Sequence, residues 1–109
     1  MVMKRFEFEV AYGVKQYADD KNLDKSDGTN AIQEIMEKDF DLVKKLAKDE
    51  IRDIVGEHGP IHFNYGIVNT EFQEFDSNRW HGSGYWLITI EAKDNLIDEF
   101  EASYDRFWD

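Results

Sequence analysis

The segment Y-W-L-I-T-I-E-A, residues Tyr85 to Ala92, predicts a β-strand around which the rest of the chain can be arranged. β-Branched and aromatic side chains dominate it, and residues of this kind favour an extended strand. The segment is also apolar enough to be the central strand of a sheet. A central strand needs a partner on each side, and two other segments of the chain have the pattern to supply them.

These two segments show the alternation of strands that have one buried face. In the first, Val2–Tyr12, the apolar residues that share a face are Phe6, Phe8, Val10 and Tyr12. The second, Ile61–Asn69, alternates in the same way, and a bulge at Asn69–Thr70 would let it continue to Phe75. The three segments predict a mostly antiparallel sheet of three or four strands.

Helical periodicity follows in the two remaining apolar stretches. Asn30 is a predicted N-cap, and Gln33 stands at the capping-box distance from it. The spacing beyond it predicts one long helix over residues 30–57, or two helices broken near Lys38–Asp41. A second amphipathic helix is predicted over Asp94–Trp108. Residues 13–28 are polar and predict a loop with at most one short helical turn.

The resulting order, β-α-β-β-α, predicts a single α+β domain over residues 1–109. A long central helix and a C-terminal amphipathic helix would pack on the sheet. The residues expected in the core are Phe8, Val10, Ile35, Phe63, Ile88 and Phe100.

Charge limits the classes of partner. Lysine and arginine number 13 against 24 aspartate and glutamate, which gives a net charge of −11. Such a surface repels phosphate backbones and anionic lipids, so we expect neither direct nucleic-acid binding nor membrane binding. Basic proteins are the partners that it would attract, although the charge could also serve solubility alone. No signal peptide or membrane-length apolar run is visible, and we expect a cytoplasmic protein.

No pattern of residues indicates catalysis, a cofactor or a metal. Gly59-Pro60 separates His58 from His62 and would break a chelating helix. In Asp20–Gly28, Lys25 stands where a calcium loop needs glycine. Glycine-rich phosphate motifs are absent from the sequence. We therefore expect no catalytic residue, no cofactor and no metal ligand, which favours a binding protein over an enzyme.

The C-terminal helix carries the most specific polar pattern. Carboxylates recur along one arc at steps of three and four: Asp94, Asp98, Glu101, Asp105 and, if the helix reaches it, Asp109. Neighbours at these steps lie about 5–6 Å apart, which is similar to the spacing of phosphates along a nucleic-acid strand. We call Asp94, Asp98, Glu101 and Asp105 the acidic stripe. It predicts a mimic of a nucleic-acid backbone, or else a plain solvated helix face.

A second candidate contact lies in the segment N-R-W-H-G-S-G-Y-W, residues 78–86. Its glycines and serine predict a hairpin connection. Arg79, Trp80 and His81 would stand near its tip, where an exposed tryptophan is a good anchor for a partner. The alternative is that Trp80 folds back over the edge of the sheet.

Together these features predict a small acidic protein-binding module, an inhibitor or antagonist that occupies a basic surface of a nucleic-acid-binding protein. Phage counter-defence proteins are often of this size and charge, which is an analogy only. Two alternatives remain open. One is a small-ligand binder or enzyme that uses the sheet face around His62, His81, Tyr65 and Glu71. The other is a structural subunit that self-assembles through the aromatic C-terminal third. Separately, the basic residues on the outer face of the long helix (Lys44, Lys45, Lys48 and Arg52) form either a plain ion-paired surface or a dock for the acidic helix of a second copy.

Overall fold

The chain forms a small α+β arrangement of a three-stranded antiparallel sheet and helices. The computed structural model describes residues 2–24, 28–57, 63–73 and 83–108. Within these ranges the elements are β1 (Met3–Gly13), α1 (Val14–Asp20), α2 (Thr29–Glu37), α3 (Phe40–Glu57), β2 (Gly66–Phe72), β3 (Ser83–Lys93) and α4 (Asp94–Trp108). None of the helices in the described ranges is both long and apolar enough to cross a bilayer.

The segment Tyr85–Ala92 lies in the central strand of the sheet, as predicted. The sheet order is β1-β3-β2, and β3 pairs antiparallel with both neighbours. Phe8 pairs with Ile88 and Phe6 with Ile90, so apolar side chains of adjacent strands share one face. This face carries the core, because the helices α2 and α4 contact β3 and the helices α3 and α4 contact β1.

The second strand is shorter than predicted at its start. It begins at Gly66, and its register shifts between Ile67 and Asn69, slightly earlier than the predicted bulge. Phe63, expected in this strand, stacks on Phe100 of α4 with ring centroids 4.9 Å apart. Tyr65 in turn stacks on Phe63 at 5.3 Å. Aromatic packing against α4 thus replaces strand pairing here, and residues 61 and 62 lie outside the described ranges.

The predicted long helix is two helices. The first ends at Glu37 and α3 begins at Phe40, as in the broken alternative. Asp39 caps the N-terminus of α3: its Oδ1 accepts the Leu42 backbone N–H at 3.1 Å, which is the hydrogen bond of an N-cap. The predicted cap at Asn30 is wrong, because α2 already begins at Thr29, after Gly28 with φ of 88°.

Most of the predicted core is confirmed. Phe8, Val10, Ile88 and Phe100 are buried, and Phe63 is half-buried. The prediction that Ile35 is buried is wrong, since half of its surface is exposed (50%). The short helix α2 buries Ile32 and Met36 instead, which lie one turn apart and turn Ile35 away from the sheet.

The polar segment after β1 holds a helix of seven residues, α1, where the sequence predicted a loop with at most one short helical turn. In α1 the buried residues are Val14, Tyr17 and Ala18. Three apolar residues make too short a pattern to be distinguished from a turn. With α1 and the break in the long helix, the observed order is β-α-α-α-β-β-α.

Candidate functional site

The acidic stripe lies exposed on α4. The helix follows β3 without an intervening loop, and the Asp94 backbone N–H donates to the Val2 carbonyl at 3.0 Å. Ile97, Phe100 and Ser103 are buried and therefore fix which side of α4 faces the core. The stripe residues Asp94, Asp98, Glu101 and Asp105 are all exposed. The helix thus presents carboxylates over three turns to solvent.

One cation from the sheet reaches the stripe. The Lys4 ammonium lies 2.6 Å from Asp98 Oδ1 in an exposed ion pair. The hydrogen bond to Asp98 and the charge of Asp98 raise the pKa of Lys4, and the charges of Glu101 and Asp94 raise it further. Lys4 is 94 residues from Asp98 in sequence, and helix periodicity carries no signal for such a contact.

The loop candidates Arg79, Trp80 and His81 lie outside the described residues, as do the histidines at positions 58 and 62. The described residues nearest to the connection are Gln73, which follows β2, and Ser83, which begins β3. Gly84, expected to form the turn, pairs with Tyr12 inside β3. Of the predicted contact residues, the structure therefore places only the acidic stripe.

The alternative of a ligand site on the sheet face requires Tyr65 and Glu71 to lie close together. Tyr65 packs with the core cluster beside Phe63. Glu71 is exposed and pairs with Leu87, whose side chain points to the face opposite the core residues Trp86 and Ile88. Tyr65 and Glu71 are therefore not brought together. Among the described residues, no group of three or more His, Asp or Glu side chains could hold a metal ion.

A groove that the sequence did not predict opens where the edge strand β1 meets the side of α3. Its volume is about 410 Å³. The apolar and aromatic lining includes Leu46, Tyr85 and Trp108, and the acidic lining includes Glu9, Asp49, Glu50 and Asp53. Trp108, the last residue of α4, is 60% exposed. We call this the Trp108 groove.

The indole of Trp108 is held in place by α3. Its Nε1–H donates to Glu50 Oε1 at 3.1 Å. Burial raises the pKa of Glu50, the hydrogen bond from Trp108 opposes that effect, and the charge of Asp53 adds to it. A cation in the groove would favour the charged form of Glu50 and so lower its pKa again.

The groove lies beside the C-terminal end of the stripe, since Trp108 and Asp105 are both in the last turns of α4. Tyr104 of α4 is half-buried, and burial raises the pKa of its hydroxyl. The charges of Glu50, Glu9 and Asp105 raise it further. The Tyr104 hydroxyl is therefore near two groove carboxylates and near the last residue of the stripe. Trp108 follows Asp105 by less than one helical turn.

The basic residues of α3 are exposed as expected. Lys44, Lys45, Lys48 and Arg52 all face solvent, and Arg52 pairs with Asp49 at 3.1 Å. The chain therefore exposes a basic face on α3 as well as the acidic stripe on α4.

No protein-family model, curated protein or solved structure matches the chain. Its function must therefore be inferred from the chemistry of its own surface.

Proposed function

We propose that this protein is a small acidic protein-binding module that acts by occupying a basic surface of a nucleic-acid-handling protein. It would be an inhibitor or antagonist that works in the cytoplasm, of the kind that phages use against host defences. The observation that supports this most is the exposure of all four stripe carboxylates along one side of α4.

The stripe suits a surface that normally grips phosphates. Carboxylates at steps of three and four on a helix lie about 5–6 Å apart. Phosphates along one nucleic-acid strand are separated by about 3.4 Å of axis, so both arrays present a charge every few ångströms. A partner with several lysines or arginines in a row would meet a charge at a comparable interval. The rigid attachment of α4 through Ile97 and Phe100 keeps these charges in line before binding, which lowers the entropy cost of association.

Exposed charges act mainly on the rate of encounter. Complementary fields accelerate association, and salt screens that acceleration. The proposal therefore requires fast association at low ionic strength and a steep loss of rate as salt is added.

The test begins with capture of partners from a lysate on the tagged protein at low and high salt. The captured partner is then measured against a stripe variant, Asp94→Asn, Asp98→Asn, Glu101→Gln and Asp105→Asn, whose net charge changes from −11 to −7. We expect slower association and a shallower salt slope.

A matched variant controls for net charge. Glu7→Gln, Glu34→Gln, Asp41→Asn and Glu71→Gln neutralise four exposed carboxylates outside α4 and give the same net charge of −7. Equal losses of association rate in both variants would show that only the total charge matters. No loss in either variant would refute the stripe as a binding site.

Self-association is the second candidate function. The same chain exposes the acidic stripe on α4 and the basic residues Lys44, Lys45, Lys48 and Arg52 on α3, so one copy could dock on another. Sedimentation at low salt over a range of concentrations separates the two proposals. A mass that rises with concentration at low salt and falls back at high salt would favour the oligomer.

A further inference from the structure

We infer that the Trp108 groove binds an arginine side chain of a basic protein partner. The inference rests on the proposed function, because it supplies the directional contact beside the acidic stripe. Trp108 lies three residues beyond Asp105, the last residue of the stripe. A partner that lies along α4 would therefore reach the groove at the end of the helix.

The lining of the groove suits a flat cation on an apolar stem. Leu46 and Tyr85 are half-buried, whereas most of Trp108 is exposed. A guanidinium stacks on aromatic faces and loses less on desolvation than an ammonium does. The methylene stem of arginine covers apolar surface at the same time.

The charges in the groove are complementary to that cation. Asp49 already pairs with Arg52. Within the described parts of the chain, no lysine or arginine lies within ion-pair distance of Glu9, Glu50 or Asp53. These three carboxylates therefore carry negative charge into a groove of about 410 Å³ whose lining, among the described residues, includes no lysine or arginine.

The arrangement favours arginine over lysine. Glu50 and Asp53 are three residues apart on α3, which brings their carboxylates to the same side of the helix. The Trp108 hydrogen bond uses Oε1 of Glu50, and Oε2 is the second acceptor of the same group. A guanidinium has five N–H donors in a planar fork and can reach two carboxylates while it stacks, whereas an ammonium is a point charge.

The test uses a blocked Gly-Arg-Gly peptide and the whole protein labelled with ¹⁵N. The indole N–H resonance of Trp108 is assigned by its loss in Trp108→Phe. We expect this resonance to shift saturably with the arginine peptide. The citrulline peptide, which has the same shape without the charge, should leave it unmoved, and the lysine peptide should bind several-fold more weakly.

Protein variants locate the contact. Glu50→Gln with Asp53→Asn removes two charges from the groove, yet glutamine keeps the oxygen that accepts from Trp108. This variant should lose at least tenfold in affinity for the arginine peptide. Glu34→Gln with Glu71→Gln removes two exposed charges elsewhere and should retain it. Should the groove variant fail to fold, the citrulline comparison on the native protein still decides.

Three results would overturn the inference. Equal shifts with arginine and citrulline would mean that the groove does not read charge. Equal affinity of the groove variant and its control would mean that Glu50 and Asp53 make no specific contact with the peptide. Equal affinity for lysine and arginine would refute the assignment to arginine. Since no partner protein is used, failure here leaves the association test of the stripe variant unaffected, and the stripe variant should still bind the peptide.

Discussion

Gly84 of β3 lies directly against Met36 of α2: a Cβ atom on Gly84 would stand 2.6 Å from the Met36 Cε atom. Trp86 and Phe72 would also approach it, at 3.2 and 3.4 Å. The clashing atom ends a flexible side chain, but Met36 is fully buried, so a shift of its methyl group displaces neighbouring core atoms. We expect Gly84→Ala to lower the free energy of unfolding by about 1–3 kcal/mol, as overpacked cores do. Denaturant titration measures this.

A double-mutant cycle identifies Met36 as the cause. Met36→Ala alone should cost about 2–5 kcal/mol through the cavity that it leaves. In that background the added methyl group of Gly84→Ala fills space instead of clashing, so its cost should fall or reverse. Strictly additive costs would show that Met36 is not what Gly84 accommodates.

The packing of Met36 on Gly84 could not be predicted from the local sequence. Gly84 was predicted as part of a turn because glycine and serine precede the aromatic run, and nothing local shows that a helix side chain packs on it. By contrast, the predicted bounds of the last helix, Asp94–Trp108, agree with the structure. There the apolar spacing runs through the whole segment, and local periodicity is enough.

Contacts between distant residues account for most of the candidate site that was missed. The bond from Trp108 to Glu50 spans 58 residues, and that from Lys4 to Asp98 spans 94. Periodicity identifies which face of each helix is polar. It carries no information on which polar residues of different elements meet, so the Trp108 groove could not be predicted.

The aromatic stack on α4 gives a second prediction. Phe100 is fully buried, whereas Phe63, which stacks on it at an angle of 11°, is half-buried. Phe100→Ala should cost about 3–5 kcal/mol of unfolding free energy. Phe63→Ala should cost clearly less, because solvent already reaches its ring and less cavity is created. Chemical denaturation of the two variants compares them, and a larger loss for Phe63 would contradict the packing.

The lowered pKa of Asp39 should make the free energy of unfolding depend on pH. Burial alone would raise the pKa of Asp39, but hydrogen bonds from the Tyr17 hydroxyl and the Leu42 N–H, with the nearby charge of Lys21, lower it on balance. A folded pKa below the unfolded value of 3.8 means that the unfolded chain binds the proton more tightly. The stability from this carboxylate is therefore present above the unfolded pKa and is lost as pH falls through the folded pKa.

Asp39→Asn removes the charge: asparagine keeps one oxygen, which can accept the Leu42 N–H, but an NH₂ group replaces the oxygen that accepts the Tyr17 hydroxyl. At neutral pH the wild type should be more stable by about 1 kcal/mol, because hydrogen bonds to a charged group are stronger. The difference should shrink as pH falls below about 4. Urea midpoints at several pH values measure it. A difference that grows in acid would mean that burial outweighs the hydrogen bonds.

The acidic stripe predicts an unusual response of stability to salt. Its residues make three like-charge neighbours at helical steps of four, three and four, each unfavourable by a few tenths of a kcal/mol. Lys4 forms an exposed ion pair with Asp98, and an exposed pair of this kind offsets little of the repulsion. Neutralising the stripe should therefore raise the free energy of unfolding at low ionic strength.

Salt should remove the difference in unfolding free energy between the neutralised variant and the wild type, because the Debye length falls from about 30 Å at 0.01 M to 3 Å at 1 M. Asp94 needs separate treatment: its Oδ1 accepts the Asn95 N–H at 2.7 Å, and its charge lies at the helix N-terminus, where a negative group is favourable. A triple variant of Asp98, Glu101 and Asp105 should thus gain more stability than the fourfold one. Thermal melts of both, at 0.01 M and 1 M salt, measure the effect. If the triple variant is less stable than the wild type at low salt, its carboxylates are not repelling one another but are engaged in contacts that hold α4 in place, and they would then not be available to a partner.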